Sequence, residues 1–290
     1  GVAGTQISIS SGATYWNGVS WTNVDGDKWM FANIVGSNWE WNPAYDVPVW
    51  TDGHLYRVVS KASDLASNQE VSGAGNAGTS RDAEFVYDIS GPTSTITYPY
   101  DRGYVSAGGK ITGLAYDAPN GIVKKVYVRI MQTTGTKKDH YWNVLGSTWT
   151  LAGAPEVWNE ISSDFPANGT LSPSATWWQL NDTPWTTGIS YDINVKTLDK
   201  AGNWSVIYST ASDVKADFTL PSSSVTYPAN NDDMQTNLTV ISGSASDTAP
   251  GAVNTVKLSY FKCSPADCNT GNYWDRAAHN WLSPTELFYD

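Results

Sequence analysis

The chain has 290 residues and a net charge of −11, with 17 basic side chains against 28 acidic ones. This balance excludes nucleic acid as a partner, because phosphate binding needs a clustered basic surface. The length is sufficient for two or three domains, and no apolar run approaches the roughly 20 residues that a helix needs to span a membrane.

The first segment, residues 1–91, begins with an alternating apolar and polar pattern and continues with Tyr15, Trp16 and Trp21. Its clearest predicted strand lies in Tyr56–Asn68, where apolar or small residues recur at every second position, as in a strand with one face in a core. The strand ends in Asp-x-Ala-Ser-Asn, whose Asp and Asn side chains can bond the backbone of a tight turn.

Residues 92–220 contain the fullest set of predicted strands, which are separated by Gly, Pro, Asn and Asp. About seven short strands with such turns indicate a β-sandwich. A Trp-rich stretch between Gln132 and Asn181 makes this segment long for a sandwich, and we interpret it as an insertion laid across one sheet. The predicted strands include Thr93–Tyr98, Lys110–Ala115, Ile122–Met131, Trp177–Leu180 and Tyr191–Leu198.

Several motifs return along the chain at nearly constant spacing, which indicates tandem units. Tyr56–Asn68 returns as Tyr191–Asn203, and Asp88–Pro92 (the first joint) returns as Asp217–Pro221 (the second joint). We therefore predict a partial unit over 1–91, a complete unit over 92–220 and a partial unit over 221–290. Six recurring tryptophans are expected to be structural: Trp16, Trp21, Trp142, Trp149, Trp274 and Trp281.

The motifs run in the order Pro…Tyr-Pro…Gly-x-Ala-x-Asp, then Tyr…Asp-x-Ala-(Ser/Gly)-Asn, and they cover the whole chain. This order resembles the tandem bacterial immunoglobulin-like (Ig-like) repeats of large cell-surface proteins and adhesins. The resemblance implies an all-β fold of tandem Ig-like β-sandwich domains, each with a Trp-rich insertion. It also implies an extracellular, cell-surface location and a role as a stalk, filament or adhesive rod.

In calcium-stiffened members of that family, Asp residues near the joint between repeats bind the ion. Ca²⁺ takes six to eight oxygen ligands, which several carboxylates and backbone carbonyls at a joint can supply. The alternative is that each Asp only accepts backbone hydrogen bonds in a turn, in which case no cofactor is required. The matching positions are Asp64, Asp88 and Asp117 at the first joint, and Asp199, Asp217 and Asp247 at the second.

Three tryptophans outside the recurring set, Trp158, Trp177 and Trp178, are candidates for a carbohydrate platform because they lie in the predicted insertion. Glycans would then be partners. Cys263 and Cys268 are the only cysteines, and the short loop between them predicts a disulfide worth about 2 kcal/mol on the chain-entropy model. A disulfide indicates an oxidising, extracytoplasmic setting.

Sequence motifs typical of enzymes, such as G-x-S-x-G, H-E-x-x-H or a Walker loop, do not occur in the chain. We predict a non-enzymatic structural segment of an extracellular repeat protein whose partners are neighbouring repeats. Two alternatives stay open. One is a carbohydrate-binding adhesive module, and the other is a filament subunit whose identical copies join head to tail by strand complementation at open sheet edges.

Overall fold

The computed structural model describes residues 2–23, 27–42, 47–70, 82–161, 176–230, 238–264, 267–283 and 285–289. Within these ranges the side chains of 176, 177, 264, 267–270, 282 and 283 are not described. All regular elements in the described residues are β-strands, so the predicted all-β class is confirmed. None of the described residues belongs to a helix long and apolar enough to cross a membrane.

The first segment forms one seven-stranded sheet. Its strands are β1 (Val2–Ser11), β2 (Thr14–Trp16), β3 (Trp21–Thr22), β4 (Met30–Val35), β5 (Asn38–Glu40), β6 (His54–Asp64) and β7 (Asp82–Tyr87). Strand β1 is central and pairs antiparallel with β2, β4 and β6, while β7 pairs with β6. The alternating sequence of β1 buries Ile7 and Ile9, which form a core cluster with Trp16.

The middle segment contains two larger sheets, β15-β10-β8 and β14-β11-β16-β17-β9, and a β12-β13 hairpin. Strand β9 pairs parallel with β17. The strands are β8 (Thr93–Tyr98), β9 (Tyr104–Val105), β10 (Ile111–Tyr116), β11 (Val123–Gln132), β12 (Trp142–Asn143), β13 (Thr148–Trp149), β14 (Asn159–Glu160), β15 (Thr176–Leu180), β16 (Ser190–Asp199) and β17 (Ser209–Ala216).

Side chains from both larger sheets of the middle segment meet in one core. Ile111 and Trp178 come from the three-stranded sheet, and Val128, Ile130 and Ile193 come from the five-stranded sheet. All five are completely buried, which is the outcome that their alternating strands favour. Part of the predicted Trp-rich insertion therefore belongs to the sheets themselves, since β14 and β15 are strands of these two sheets.

The last segment contains a β18-β19 pair and a β20-β21-β22 sheet. Its strands are β18 (Ser222–Tyr227), β19 (Ser242–Ser246), β20 (Phe261–Ser264), β21 (Asp267–Asp275) and β22 (Asn280–Ser283). Every residue of β18 and β19 is exposed. Among the described strands none pairs across the predicted boundaries at 91/92 and 220/221, although the domain division itself stays a prediction.

The first two segments repeat the same four-strand arrangement, β4-β1-β6-β7 and β14-β11-β16-β17. The hydroxyl of Tyr56 accepts a hydrogen bond from the backbone N–H of Thr51 at 2.8 Å, and Tyr191 accepts the same bond from Thr186 at 2.9 Å. The repeat in the sequence is thus also a repeat in the structure, and it includes the equivalent hydrogen bonds of Tyr56 and Tyr191.

The recurring tryptophans form three edge-to-face pairs of nearly identical geometry. The ring centroids are 5.6, 5.4 and 5.3 Å apart, and the interplanar angles are 63°, 62° and 65°. Edge-to-face contact is one of the two favoured arrangements of aromatic rings. The structural role predicted for these residues is therefore supported in all three segments: Trp16 with Trp21, Trp142 with Trp149, and Trp274 with Trp281.

Candidate metal centre at the first joint

Three strands end at the first joint, and each brings one aspartate there. Asp88 directly follows β7, Asp117 directly follows β10, and Asp199 is the last residue of β16. One carboxylate oxygen from each lies within 4.8 Å of one from each of the others. Asp199 is completely buried, Asp117 is 2% exposed and Asp88 is half-buried. In the described part of the chain, this is the one such group of three metal-ligating side chains.

Asp64 lies far from this cluster, although the sequence grouped it with Asp88 and Asp117. Strand β6 begins at His54, opposite Tyr87 beside the first joint, and ends at Asp64. Ten residues at about 3.3 Å each carry the chain roughly 33 Å away.

Asp199 belongs to the first joint, although the sequence grouped it with Asp217 and Asp247. Strand β16 begins at Ser190, opposite Lys215 near the second joint, and runs back to Asp199. The strand thus separates Asp199 from Asp217 by roughly 30 Å, at about 3.3 Å per residue.

The turns after β6 and β16 close in the same way. Asp64 Oδ1 accepts the backbone N–H of Asn68 at 2.8 Å, and its Oδ2 accepts the Asn68 side-chain amide at 2.8 Å. Asp199 makes the same two bonds with Asn203, at 2.7 and 2.9 Å. The predicted turn chemistry is confirmed in both copies, and at Asp64 these hydrogen bonds account for the shape of the turn without a metal.

Asp117 differs from these turn aspartates, because neither of its buried oxygens has a hydrogen-bond partner in the described structure. The backbone N–H of Ile122 faces the carboxylate and favours its ionised form, but it does not meet hydrogen-bond geometry. Burial, followed by the charges of Asp88 and Asp199, raises the pKa of Asp117 to about 7. A cation among these oxygens would offset both effects, because a nearby positive charge favours the ionised carboxylate.

Asp88 experiences the same environment more weakly, since burial and the charge of Asp199 raise its pKa. Gly121 leaves room for the cluster, because a Cβ there would collide with the Asp117 carboxylate. The cluster therefore combines two buried carboxylates with a half-buried one, and the buried Asp117 carboxylate has no hydrogen-bond partner. Chemically, it is an arrangement that can hold a metal ion.

The second joint repeats two of the three carboxylates. A Cβ at Gly251 would collide with oxygens of both Asp217 and Asp247, so the two carboxylates lie together beside this glycine. Thr219 Oγ1 donates to Asp217 Oδ1 at 2.5 Å and lies 3.3 Å from Asp247 Oδ1. This pair has a hydroxyl partner that the Asp117 carboxylate lacks.

The predicted sugar-platform tryptophans are in different environments. Trp178 is completely buried in the middle core, so its ring cannot contact a glycan, and this candidate is wrong. The side chain of Trp177 lies outside the described residues. Trp158 is half-buried, with the Tyr208 ring edge-on to it at 5.2 Å and the ammonium of Lys196 above it at 4.3 Å.

The cysteines lie in the last segment, on β20 and β21. Cys263 is disulfide-bonded, and the side chain of Cys268 lies outside the described residues. The pairing of these two cysteines stays a prediction.

Comparisons with known proteins give little. No family model matches the chain, and no curated protein matches it. A search of solved structures returned a chain described as a Ca²⁺-stabilised adhesin that helps an Antarctic bacterium reach out and bind ice. The identity is 14% and the TM-score is 0.20, over 77% of this chain and 43% of that chain. The chain thus spans less than half of that structure, and a TM-score this low does not establish a shared fold.

Proposed function

We propose that this chain is a non-enzymatic structural segment of an extracellular, cell-surface repeat protein. In this proposal its tandem Ig-like β-sandwiches form a stalk or adhesin rod, and Ca²⁺ at Asp88, Asp117 and Asp199 fixes the first joint. The observation that carries the proposal is the Asp117 carboxylate, which is buried among two other carboxylates without a hydrogen-bond partner. Burying a charge in this way is costly unless a counter-charge is present.

The spacing of the oxygens fits calcium. Ca²⁺ binds oxygen at about 2.3–2.6 Å, so two oxygens on one ion can be at most roughly 5 Å apart. All three carboxylates meet that limit. The donors are oxygens only, without the imidazole or thiolate that zinc prefers. Calcium also tolerates irregular coordination better than magnesium, which demands a near-ideal octahedron.

Direct contacts between the segments make the joint a suitable place for a stiffening ion. The side-chain amide of Asn120 donates to the carbonyl of Gly53 at 2.8 Å, and that of Asn203 donates to the carbonyl of Asp88 at 3.2 Å. Within the first segment, Asp52 accepts the backbone N–H of the joint residue Ile89 at 2.8 Å. Domains joined by small polar interfaces normally move relative to one another. A cation that binds Asp88 from the joint and Asp117 and Asp199 from the middle segment would oppose that motion.

Isothermal titration with CaCl₂ tests the proposal on the whole chain. We expect one site that Asp117→Asn removes and that Asp139→Asn retains. Asp139 is a matched control, because it is exposed and its φ of 64° suits asparagine as well as aspartate. Absence of calcium binding, or equal binding by both variants, would refute a calcium role at this joint.

The head-to-tail alternative stays a proposal of its own. It requires identical chains to associate, so a stable monomer in size-exclusion chromatography would contradict it.

A further inference from the structure

A lysine stacked on a tryptophan recurs at the same place in the first two segments. Lys61 Nζ lies 4.1 Å from the ring centroid of Trp29, and Lys196 Nζ lies 4.3 Å from that of Trp158. Trp29 directly precedes β4, and Trp158 directly precedes β14. Each lysine also occupies the same register, opposite β1 in one segment and opposite β11 in the other. The two pairs are therefore equivalent in the repeat.

This recurrence is not explained by the core. In β16 the residues on either side of Lys196 are buried, whereas the lysine is directed to the other face. A repeated core must repeat its inward residues, but its outer face is free to vary. Core packing therefore does not account for a lysine and a tryptophan that occur together on the outer face in both segments.

In the middle segment the pair is the centre of a larger aromatic group, which we call the Lys196 platform: Tyr127, Trp158, Lys196, Trp204 and Tyr208. The ammonium lies 4.8 Å from the Trp204 ring and 5.9 Å from the Tyr127 ring. Trp204 is 45% exposed and Tyr208 is 47% exposed. Rings that are half-covered and half-exposed can pack against the C–H face of a sugar while keeping their polar ends in water.

The Lys196 ammonium has no ion-pair partner, although Glu156 and Glu160 accept hydrogen bonds from the Trp158 and Tyr127 side chains. Neighbouring Arg129 is paired with Glu156, and Lys125 is paired with Glu160 at 2.8 Å. In the described part of the chain no carboxylate lies within ion-pair distance of Lys196. Burial lowers the pKa of Lys196, and the charge of Glu156 opposes this shift only in part, so the ammonium lacks a counter-charge at ion-pair distance. An anion would supply that counter-charge through charge-assisted hydrogen bonds.

We propose that the Lys196 platform binds an acidic glycan, with Trp158 and Trp204 packing against sugar rings and Lys196 bonding a carboxylate or sulfate group. One unpaired ammonium on a chain of net charge −11 fits a ligand that presents a single carboxylate or sulfate to the platform, and it does not fit nucleic acid, which needs many cations. A sheet face with exposed rings fits the extended chain of a polysaccharide. The equivalent Lys61 and Trp29 would give a second contact along the same polymer.

The test is surface plasmon resonance of the whole chain over immobilised polygalacturonate, chondroitin sulfate and dextran, with and without EDTA. We expect binding to at least one of the two acidic polysaccharides, none to dextran, and persistence in EDTA. Binding that persists in EDTA excludes attachment through calcium ions that bridge carboxylates of the protein and the polysaccharide.

Lys196→Met keeps the aliphatic stem over the rings and removes the charge, so we expect roughly tenfold weaker binding, equivalent to about 1.4 kcal/mol. Lys137→Met removes the same charge from an exposed loop and should leave binding unchanged. Trp158→Ala tests the ring, with circular dichroism to establish that the variant is folded. Absence of binding to both acidic polysaccharides would overturn the proposal. So would equal binding to dextran, binding only with calcium, or an unaffected Lys196→Met variant.

Discussion

Asp117→Asn should stabilise the chain in the absence of calcium and should reduce the stabilisation that calcium provides. Asparagine has the shape of a protonated aspartate but carries no charge, so it removes the repulsion from Asp88 and Asp199. It also removes one of the charged ligands that calcium would bind. The substitution thus removes a repulsion and also removes a calcium ligand. An ordinary destabilising substitution would not show this combination of effects.

The magnitude without calcium follows from linkage. Because the pKa of Asp117 is about 7 in the folded chain against 3.8 for an unperturbed group, the folded state holds a proton that the unfolded state has lost between these values. The free energy of unfolding therefore falls as pH rises from about 4 to about 7, by up to roughly 4 kcal/mol. Water at the half-buried Asp88 screens part of this, and we expect about 2–4 kcal/mol.

Urea unfolding followed by tryptophan fluorescence measures the effect. In EDTA at a pH of about 8, Asp117→Asn should be more stable than the natural chain by about 2–4 kcal/mol, and the difference should shrink towards a pH of about 4. With calcium at about 100 times its dissociation constant, the natural chain should gain about 2.7 kcal/mol and the variant clearly less. Asp139→Asn should follow the natural chain throughout.

Two results would refute this reasoning. The first is a variant that is less stable than the natural chain in EDTA at high pH, because the buried charge would then be already satisfied. The second is an equal gain from calcium in both proteins, because the ion would then bind elsewhere.

Two further substitutions test the joint and the core. Gly53→Ala puts a Cβ into Pro119, so we expect weaker calcium binding by titration calorimetry. The control is Gly188→Ala, which has a similar positive φ but open space around the new Cβ and should bind calcium normally. Equal calcium affinities of the two variants would contradict a tightly packed joint. Trp178→Ala removes a completely buried ring and should cost about 3–5 kcal/mol in urea unfolding. Leu145→Ala, at a fully exposed position, should change stability by less than about 0.5 kcal/mol, and a similarly small effect at Trp178 would contradict its place in the core.

The sequence was sufficient for features that depend on local pattern. Alternation located the strands of Tyr56 and Tyr191, and the Asp-x-Ala-(Ser/Gly)-Asn motif identified the turns that Asp64 and Asp199 close. Recurrence also identified the tryptophans that form edge-to-face pairs. These features involve either residues close in sequence or interactions that every copy of the unit repeats.

Local sequence pattern could not show which aspartates lie at the same joint, because that depends on the direction in which each strand runs. Asp199 is close to the second joint in sequence, but an antiparallel strand returns it to the first. The assignment of Trp178 had a usable signal that was missed. Adjacent residues of a strand point to opposite faces, so Trp177 and Trp178 could not both belong to one exposed platform.

Strand β16 has a mechanical consequence because it runs the length of the middle segment, from beside the second joint to Asp199 at the first. In the proposed rod, tension on the chain would enter this segment through Asp88 and the edge strand β8, which could be peeled from β10 one hydrogen bond at a time. An ion shared by Asp88 and Asp199 would transfer the load to β16, which is paired on both sides by β11 and β17. Rupture would then require many hydrogen bonds to shear together, so force would be resisted by the centre of the sheet and not by its edge.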